Sequence, residues 1–472
     1  MNNKVITFLY NLSSSIMANA LSLFISILII IIAPKLIGVN EYGYLQLYLF
    51  YFSFIGFFQL GWNDGIYLRF GGETYSKLNK RYFFSQFWCL FIFQASIAAA
   101  IILFIVINNE AVDRQFIVVS IAICTIIVGS RAMLMFLLQA TNRIREYSKI
   151  IIIDRVVYSI LVTITLVLGI TKYELFVISD LLAKLIAWGY TVYICKDLVF
   201  QNVRSFYISV REIKDNIYSG IKLMFSNISS ILVVGTLRFG IERSWDISVF
   251  GKVSLTLSIS NFFMVFINAV GIVIYPILRR VGPVKLQIIY TSMKILLVTF
   301  LFSLLLFYYP LSVILKKWLP LYAESIDYMS ILFPIFVYEG KTALLSNTFF
   351  KTLRRENEML KINIVTLLIS VFLTILATQV LNDLYISILS IIILLAFRSI
   401  LSDFVISKVF KIAILKPMLM ESAVIVVFLL SSWYFQSWIS SIIYCVAFLL
   451  YVLINKKSIV SSIKIVRSLV RR

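Results

Sequence analysis

The chain has 472 residues, of which 61% are hydrophobic and only 14% are charged, and its net charge is +21. Soluble domains carry about a quarter charged residues, so this composition excludes an ordinary soluble protein and indicates a membrane protein. The chain has no histidine and its four cysteines lie singly in apolar blocks, which argues against Ser-His-Asp triads, zinc sites and redox centres, so we predict no cofactor and no metal.

Apolar runs long enough to span a bilayer recur along the chain, and the alternating segments typical of a membrane barrel do not. We therefore predict an all-α integral membrane protein with about 14 transmembrane helices. The predicted spans are 13–33, 43–62, 83–107, 115–138, 150–170, 175–195, 219–239, 252–275, 291–315, 327–350, 362–382, 384–407, 418–437 and 438–455. Ala18-Asn19-Ala20 resembles a signal-peptidase site but precedes the first apolar run, so we expect that helix to remain attached.

The Lys and Arg residues are distributed very unequally between the two sets of predicted loops. One set holds 28 of the 43 basic residues, the other holds 6, and 9 lie within the spans. By the positive-inside rule the richer set is cytoplasmic, which places both termini inside the cell. This distribution also explains the net charge without nucleic acid, since the basic residues form no single patch. The predicted location is a bacterial cytoplasmic membrane.

Two sequence pairs suggest an internal repeat. Tyr42-Gly43 before one apolar run matches Phe250-Gly251 before another, and the basic loop from Arg145 to Ile150 resembles the stretch from Arg355 to Ile362, at offsets of 208 and about 210. The alternative is that basic loops after helices simply resemble one another. A repeat of six helices predicts two lobes related by a two-fold axis along the membrane normal. The predicted domains are a lobe at 1–195, a cytoplasmic linker at 196–218, a lobe at 219–410, and two extra helices with a basic tail at 411–472.

Charged residues within the spans are the candidate functional residues, since each costs about 2.5–3.5 kcal/mol to insert. Arg131, Glu339, Lys341 and Arg398 lie near the middle of their spans, and adding the repeat offset to Arg131 gives Glu339 or Lys341. The fourth helix of each lobe therefore carries charge at the same depth. This favours a water-filled central cavity, and a buried Arg131–Glu339 ion pair is the structural alternative.

Other charged residues also lie within the predicted spans or near their ends. Asp180 and Lys184 are four residues apart on one helix and are expected to form a local pair. Lys294 lies near a span end, where a lysine can extend its ammonium group to the membrane surface. Basic residues outnumber acidic ones among the deeper positions, which favours an anionic cargo such as a pyrophosphate. The expected substrate ligands are Arg131, Lys184, Lys341, Arg398 and Asn268, and the expected ion-coupling groups are Asp64, Asp180 and Glu339.

Several motifs resemble those of polysaccharide repeat-unit flippases, which belong to a superfamily with the multidrug-and-toxin exporters and the lipid II flippase. These motifs are Gly38–Tyr44, Leu60–Gly65 with Arg69 and Gly71-Gly72, Leu138–Tyr147, and Tyr275–Arg280. The resemblance implies two six-helix lobes around a cavity and export of undecaprenyl-pyrophosphate-linked oligosaccharide for O-antigen or capsule. One departure is Leu237, where the family pattern often has an acidic residue before the arginine, here Arg238.

The function predicted from these features is a lipid-linked oligosaccharide flippase that works by alternating access. Its expected partners are that lipid-linked cargo, membrane lipids, H⁺ or Na⁺ as coupling ion, and a polysaccharide polymerase complex. A cation-coupled multidrug exporter of the same fold is the alternative, which the many Phe and Tyr residues fit and the basic balance does not. An enzyme of polysaccharide assembly is disfavoured, because the predicted outer loops are short and histidine is absent.

Overall fold

The computed structural model describes residue 25 and residues 30–264, 267, 278, 283–435 and 438–470. These residues are helical apart from turns and short connections, and none of them lies in a strand. They divide between Ile231 and Leu232 into two compact units, unit 1 and unit 2. The first predicted span, residues 13–33, lies mostly outside the described residues.

Unit 1 begins with helical residues 30–37. Its helices are α1 (Val39–Phe52), α2 (Trp62–Arg69), α3 (Lys80–Ile107), α4 (Val112–Ala140), α5 (Ile144–Val167), α6 (Tyr173–Ile194), α7 (Lys196–Val199) and the first part of α8 (Val210–Ser244). After the end of α8, unit 2 comprises α9 (Ile247–Ser260), α10 (Pro283–Leu305), α11 (Tyr308–Trp318), α12 (Ala323–Leu332), α13 (Ile335–Gly340), a π-helical segment (Lys341–Asn347), α14 (Thr348–Thr352), α15 (Glu356–Ile375), a second π-helical segment (Leu376–Val380), α16 (Leu384–Phe410), α17 (Leu415–Tyr434) and α18 (Trp438–Val470).

Among the described residues, ten helical stretches are long and apolar enough to cross a membrane, and α1 with α2 forms an eleventh if this pair, bent by 60°, is one span. The remaining predicted spans are the first, the eighth, which continues from α9 into residues outside the described ranges, and the tenth, which is broken into α12, α13, the π segment and α14. The chain is thus an all-α integral membrane protein, as its composition predicted.

The predicted span at 43–62 does not continue as one helix. α1 ends at Phe52, a 3₁₀ turn follows at Ile55–Gln59, and the chain then bends into α2. Leu60 and Gly61 cause this bend, because both have left-handed backbone angles, with φ of 50° and 76°. An apolar run shows how much chain is available to cross the bilayer, but not where a left-handed pair interrupts it.

α2 crosses the first part of α8 at backbone contact. A Cβ atom on Gly65 would overlap the carbonyl oxygen of Asn216, and one on Gly220 would overlap the carbonyl oxygen of Gly61. Small residues permit this approach, as in other membrane helix pairs. A hydrogen-bond network surrounds the crossing: the Asn216 amide donates to the Gln86 side chain at 3.1 Å, and Arg69 donates to the Asn216 amide oxygen at 2.6 Å.

The fourth predicted span is central within each unit. In unit 1, α4 packs against α1, α2, α3 and α6, and α5 packs against α6. In unit 2, α12 packs against α9 and α16, α13 and the π segment pack against α10 and α16, and α15 packs against α16. The two units thus share an internal packing order, which supports the repeat proposed from sequence. A residue at mid-depth on the fourth span is buried among several helices.

The fourth span of unit 2 is interrupted at two points. Proline lacks an amide donor and clashes with the preceding turn, and the helix breaks at Pro334, between α12 and α13. Seven residues later the backbone widens into the π segment that starts at Lys341. π-helical turns are rare and occur frequently at functional sites.

Gly65→Ala tests the close crossing. The added methyl group would displace α2 from α8, and overpacking of this kind costs about 1–3 kcal/mol, so we expect a lower melting temperature of the purified protein. Gly189→Ala in α6 is the matched control, because a Cβ there meets no atom within 4 Å, and alanine favours a helix by up to about 1 kcal/mol over glycine. Equal melting temperatures of the Gly65→Ala variant and the wild type would show that the crossing is not a tight contact.

Candidate functional site

Arg131, on α4, forms an ion pair with a neighbouring helix of unit 1. Its Nη2 lies 3.0 Å from Oδ2 of Asp154 on α5, and the side chains of the two residues are only 9% and 13% exposed. The other terminal nitrogen, Nη1, is buried and has no hydrogen-bond partner among the described residues. A guanidinium group has five N–H donors, so Arg131 keeps donor capacity beyond its pairing with Asp154.

The second charged group of unit 1 lies on α6. Lys184 pairs with Asp180 one turn earlier, as the spacing predicted, and its ammonium group also lies 4.4 Å from the centre of the Phe52 ring. The hydroxyl of Tyr48 donates to Oδ2 of Asp180 at 2.6 Å and lies 3.2 Å from Sγ of Cys124. Tyr48, Cys124, Asp180 and Lys184 are nearly inaccessible to solvent, and the charges within the group cancel.

Unit 2 contains a buried network of four charged side chains, the charge quartet: Lys294, Lys341, Asp403 and Glu421. Lys341 lies 2.6 Å from Asp403 and 2.5 Å from Glu421. Lys294 lies 2.7 Å from Asp403 and 3.4 Å from Glu421. Each ammonium group therefore contacts both carboxylates, and the quartet is neutral.

The quartet joins four helical elements of unit 2. Lys294 is on α10, Lys341 starts the π segment, Asp403 is on α16 and Glu421 is on α17. The hydroxyl of Tyr290, one turn before Lys294, donates to the second oxygen of Asp403 at 3.2 Å. Asp403 is completely buried and Lys341 is 5% exposed, so the quartet is shielded from water on most sides.

One side of the quartet opens into a cavity of about 390 Å³ between α10, α17 and α18. Lys294 and Glu421 reach this cavity, whereas Lys341 and Asp403 do not line it. Its other polar residues are mostly hydroxyl-bearing, among them Tyr290, Thr291, Ser458, Ser461 and Ser462. Water that enters this cavity reaches the quartet at Lys294 and Glu421.

Arg398 and Glu339 form a further pair in unit 2. Nη2 of Arg398 on α16 lies 2.6 Å from Oε1 of Glu339 on α13, and the arginine side chain is 1% exposed. The structure pairs Arg131 with Asp154 and Glu339 with Arg398 rather than with each other. The Arg131–Glu339 pair considered from the sequence is thereby corrected, because each residue pairs with a residue of its own unit.

The pairing also corrects the basic excess that the sequence suggested. Five deep basic residues face five acidic residues, namely Arg131, Lys184, Lys294, Lys341 and Arg398 with Asp154, Asp180, Asp403, Glu421 and Glu339. Sequence reasoning missed Asp154, Lys294 and Glu421, because it assigned no partner to charges near helix ends. The available signal was the cost of inserting them, which applied to these three residues as well.

The remaining predicted site residues are placed differently. Asp64 lies in the first turn of α2, is partly buried and has no basic partner among the described residues. Asn268 lies outside the described residues. The roles in substrate binding or ion coupling assigned to these and the paired residues stay predictions.

Within the described ranges, no group of three or more Cys, Asp or Glu side chains is arranged to hold a metal ion.

No family model matches the chain, and no curated protein matches its sequence. Solved structures do resemble its fold. An inward-facing multidrug resistance MATE family transporter of the MOP superfamily has a TM-score of 0.59 at 13% identity, covering 83% of this chain and 98% of its own. The lipid II flippase MurJ, in an inward closed conformation, has a TM-score of 0.60 at 12% identity, covering 95% of this chain and 99% of its own.

A MATE structure in the straight conformation has a TM-score of 0.51 at 12% identity, covering 86% of this chain and 96% of its own. All three similarities extend over nearly the whole of the other protein. The fold is therefore the one shared by these transporters and the lipid II flippase. At such low identity the similarity assigns the fold and leaves the cargo open.

Lys294→Met tests the charge quartet. The variant leaves two carboxylates facing one ammonium group, and breaking a buried ion pair from one side costs about 3–5 kcal/mol. We therefore expect a clearly lower melting temperature of the protein in detergent. Adding Glu421→Gln restores neutrality and should recover most of the loss.

Lys252→Met is the matched control, because Lys252 pairs at 2.7 Å with Glu324, whose side chain is 61% exposed. Exposed pairs contribute about 0–1 kcal/mol, so its melting temperature should hardly change. A Lys294→Met variant as stable as the wild type, or a double variant less stable than the single one, would contradict the network.

Proposed function

We propose that this chain is a flippase that moves undecaprenyl-pyrophosphate-linked oligosaccharide repeat units, for O-antigen or capsule, across a bacterial cytoplasmic membrane by alternating access. The fold supports transport rather than enzymatic activity, since its structural neighbours are a multidrug resistance transporter and a lipid II flippase. In this proposal both termini are cytoplasmic and a polysaccharide polymerase complex receives the cargo on the outer side.

The observation that carries the proposal is the incompletely used guanidinium group of Arg131. One terminal nitrogen pairs with Asp154, and the other is buried without a partner among the described residues. A buried donor without an acceptor costs about 1–3 kcal/mol, and a pyrophosphate oxygen would remove this cost. Arginine is well suited to that contact, because its planar donors match phosphate geometry.

The paired state of the other deep charges is consistent with a cycle in which the site is sometimes empty. An unpaired ammonium or carboxylate group in hydrocarbon would destabilise the empty protein. Lys184, Lys341 and Arg398 each have an acidic partner that can hold them until a cargo phosphate competes for the same donors. In this proposal Arg131 is the first residue to contact the cargo phosphate, and these three residues are further ligands of the cargo.

The membrane potential can supply part of the driving force. An anion that leaves a cell with an inside-negative potential gains about 2.3 kcal/mol per charge for each 100 mV. Coupling to H⁺ or Na⁺ would add to this gain. Asp64 is the strongest coupling candidate, since Asp180 and Glu339 already have basic partners and Asp64 has none among the described residues.

A cation-coupled multidrug exporter is the second candidate. The charge balance of the deep side chains no longer argues against it, because the five acidic partners neutralise the basic excess that had argued for an anionic cargo. The similarity to an exporter, with a TM-score of 0.59, is also as strong as the similarity to the lipid flippase, with 0.60. The two candidates differ in the role of Arg131, which an exporter of cations would not use as a ligand.

The double variant Arg131→Met with Asp154→Asn tests the flippase proposal. It removes both charges and keeps the site neutral, so the protein should fold, but the pyrophosphate loses its donor. Hydrogen bonds to charged groups contribute about 1.5–3 kcal/mol, which corresponds to a roughly tenfold to hundredfold loss of translocation. The measurement is transfer of a fluorescent undecaprenyl-pyrophosphoryl oligosaccharide across proteoliposomes.

The control is Arg114→Met with Glu110→Gln, which removes a partly buried pair (3.1 Å) at the other end of the Arg131 helix and should translocate normally. Wild-type translocation by the Arg131/Asp154 double variant would make that pair purely structural. If the wild-type protein exports cationic drugs and does not move the lipid-linked saccharide, the exporter function is supported and the flippase function is refuted.

A further inference from the structure

A second, smaller cavity lies at the other end of unit 2 from the basic loops. Its volume is about 180 Å³, and its lining includes Tyr308, Tyr309, Lys316, Asp327 and Trp438 together with four serines. Its lining residues come from α11, α12, the end of α17 and the start of α18. The distribution of Lys and Arg places the connections from α11 to α12 and from α17 to α18 on the outer side of the membrane.

One wall of this outer cavity is formed by Tyr308 and Tyr309, which belong to a closely packed aromatic cluster. The ring of Tyr308 packs against Tyr309, Phe333 and Phe428, with ring centres 5.3, 5.5 and 5.4 Å away. Trp438, at the start of α18, also lines the cavity and is 71% exposed. The cavity thus combines a closely packed aromatic wall with an accessible indole ring, and the indole offers a large apolar face to a ligand.

The polar lining has hydrogen-bonding capacity to spare. The hydroxyl of Tyr309 is buried and has no partner among the described residues. Ser312, Ser330 and Ser432 donate their protons to backbone carbonyls, at 2.9, 2.6 and 2.6 Å. Their oxygens can still accept hydrogen bonds, because a hydroxyl has one donor and two acceptor sites.

The charged residues of the cavity form a closed pair. Nζ of Lys316 lies 2.7 Å from Oδ1 of Asp327, and both side chains are more than a third exposed. The net charge is zero, which disfavours a phosphate or a metal ion as ligand. A carboxylate accepts several hydrogen bonds and an ammonium group donates three, so the pair can bind a neutral ligand that carries many hydroxyl groups.

We propose that this outer cavity binds one sugar ring of the translocated cargo. A sugar ring has C–H faces that pack on aromatic side chains and a rim of hydroxyls that both donate and accept hydrogen bonds, which matches the lining described above. The volume lies below the range of about 300–1,000 Å³ for drug-sized ligands, so it suits a single ring rather than a whole repeat unit. The cargo assignment rests on the proposed flippase function.

Three helical spans connect this cavity with the charge quartet. The span from Lys285 to Trp318 carries Lys294 and Tyr309, the broken span after it carries Asp327 and Lys341, and α17 carries Glu421 and Ser432. Glu421 and Ser432 are eleven positions apart on one helix, which is roughly 16 Å at 1.5 Å per residue. A displacement of these helices at the quartet would therefore also change the cavity that holds the sugar.

The test is sugar binding to the full-length protein in nanodiscs, measured by saturation-transfer NMR with N-acetylglucosamine, galactose, glucose, mannose and rhamnose as probes. At least one sugar should bind, with a Kd on the order of 1 mM. Tyr309→Phe removes only an unpartnered hydroxyl, so the protein should fold normally and bind that sugar up to about tenfold more weakly. Trp438→Ala should weaken binding similarly, since it removes an accessible ring.

Trp433→Ala is the control, because Trp433 is a partly exposed tryptophan of α17 that packs on Tyr385 and does not line the cavity. The same variants are then compared in the proteoliposome assay, where Tyr309→Phe and Trp438→Ala should translocate the lipid-linked saccharide more slowly than Trp433→Ala. Absence of sugar binding, equal binding by all variants, or lost binding with unchanged translocation would each overturn the proposal. If the wild type binds sugars through Tyr309 and Trp438 but translocates no lipid-linked saccharide, the sugar-binding cavity is supported and the flippase function is refuted.

Discussion

Hydrocarbon cannot stabilise an isolated charge, and this constraint explains the arrangement of the deep polar residues. Arg131 faces Asp154, Lys184 faces Asp180, Arg398 faces Glu339, and the two lysines of the quartet share two carboxylates. Buried ion pairs seldom add net stability, but losing one partner is strongly destabilising. The pairs therefore fix which helices must stay together: α4 with α5 in unit 1, and α10, the π segment, α16 and α17 in unit 2.

Backbone irregularities place these charges. The left-handed Leu60 and Gly61 redirect α1 into α2, and the glycines of α2 and α8 allow backbone contact. In unit 2, Pro334 breaks the fourth span before Glu339, and the π segment begins at Lys341. Regular helices pack well with apolar side chains alone. The interrupted ones expose backbone and side-chain groups that need partners, and for that reason functional residues collect near them.

The neutral pairing of the deep charged residues limits which ligands they can bind. A site with excess positive charge would attract any anion, whereas a set of neutral pairs binds a ligand only if it competes with an internal partner or uses a donor left over. Arg131 has such a donor, and in the proposed function it is the first contact for a phosphate. The outer cavity, with its neutral Lys316–Asp327 pair and aromatic wall, is chemically different, and in the same proposal it takes the uncharged part of the cargo.

The sequence by itself determined that the chain is helical and embedded in a membrane, because hydropathy and the cost of inserting charge depend on each segment and its solvent. It also located the local pair of Asp180 and Lys184, which lie one turn apart on the same helix. Tertiary structure decided the partners of Arg131, Lys294, Lys341 and Glu421, since these contacts join different helices and a long side chain can reach several of them. It also created the outer cavity, whose residues lie far apart along the chain and meet only where four helices, α11, α12, α17 and α18, come together.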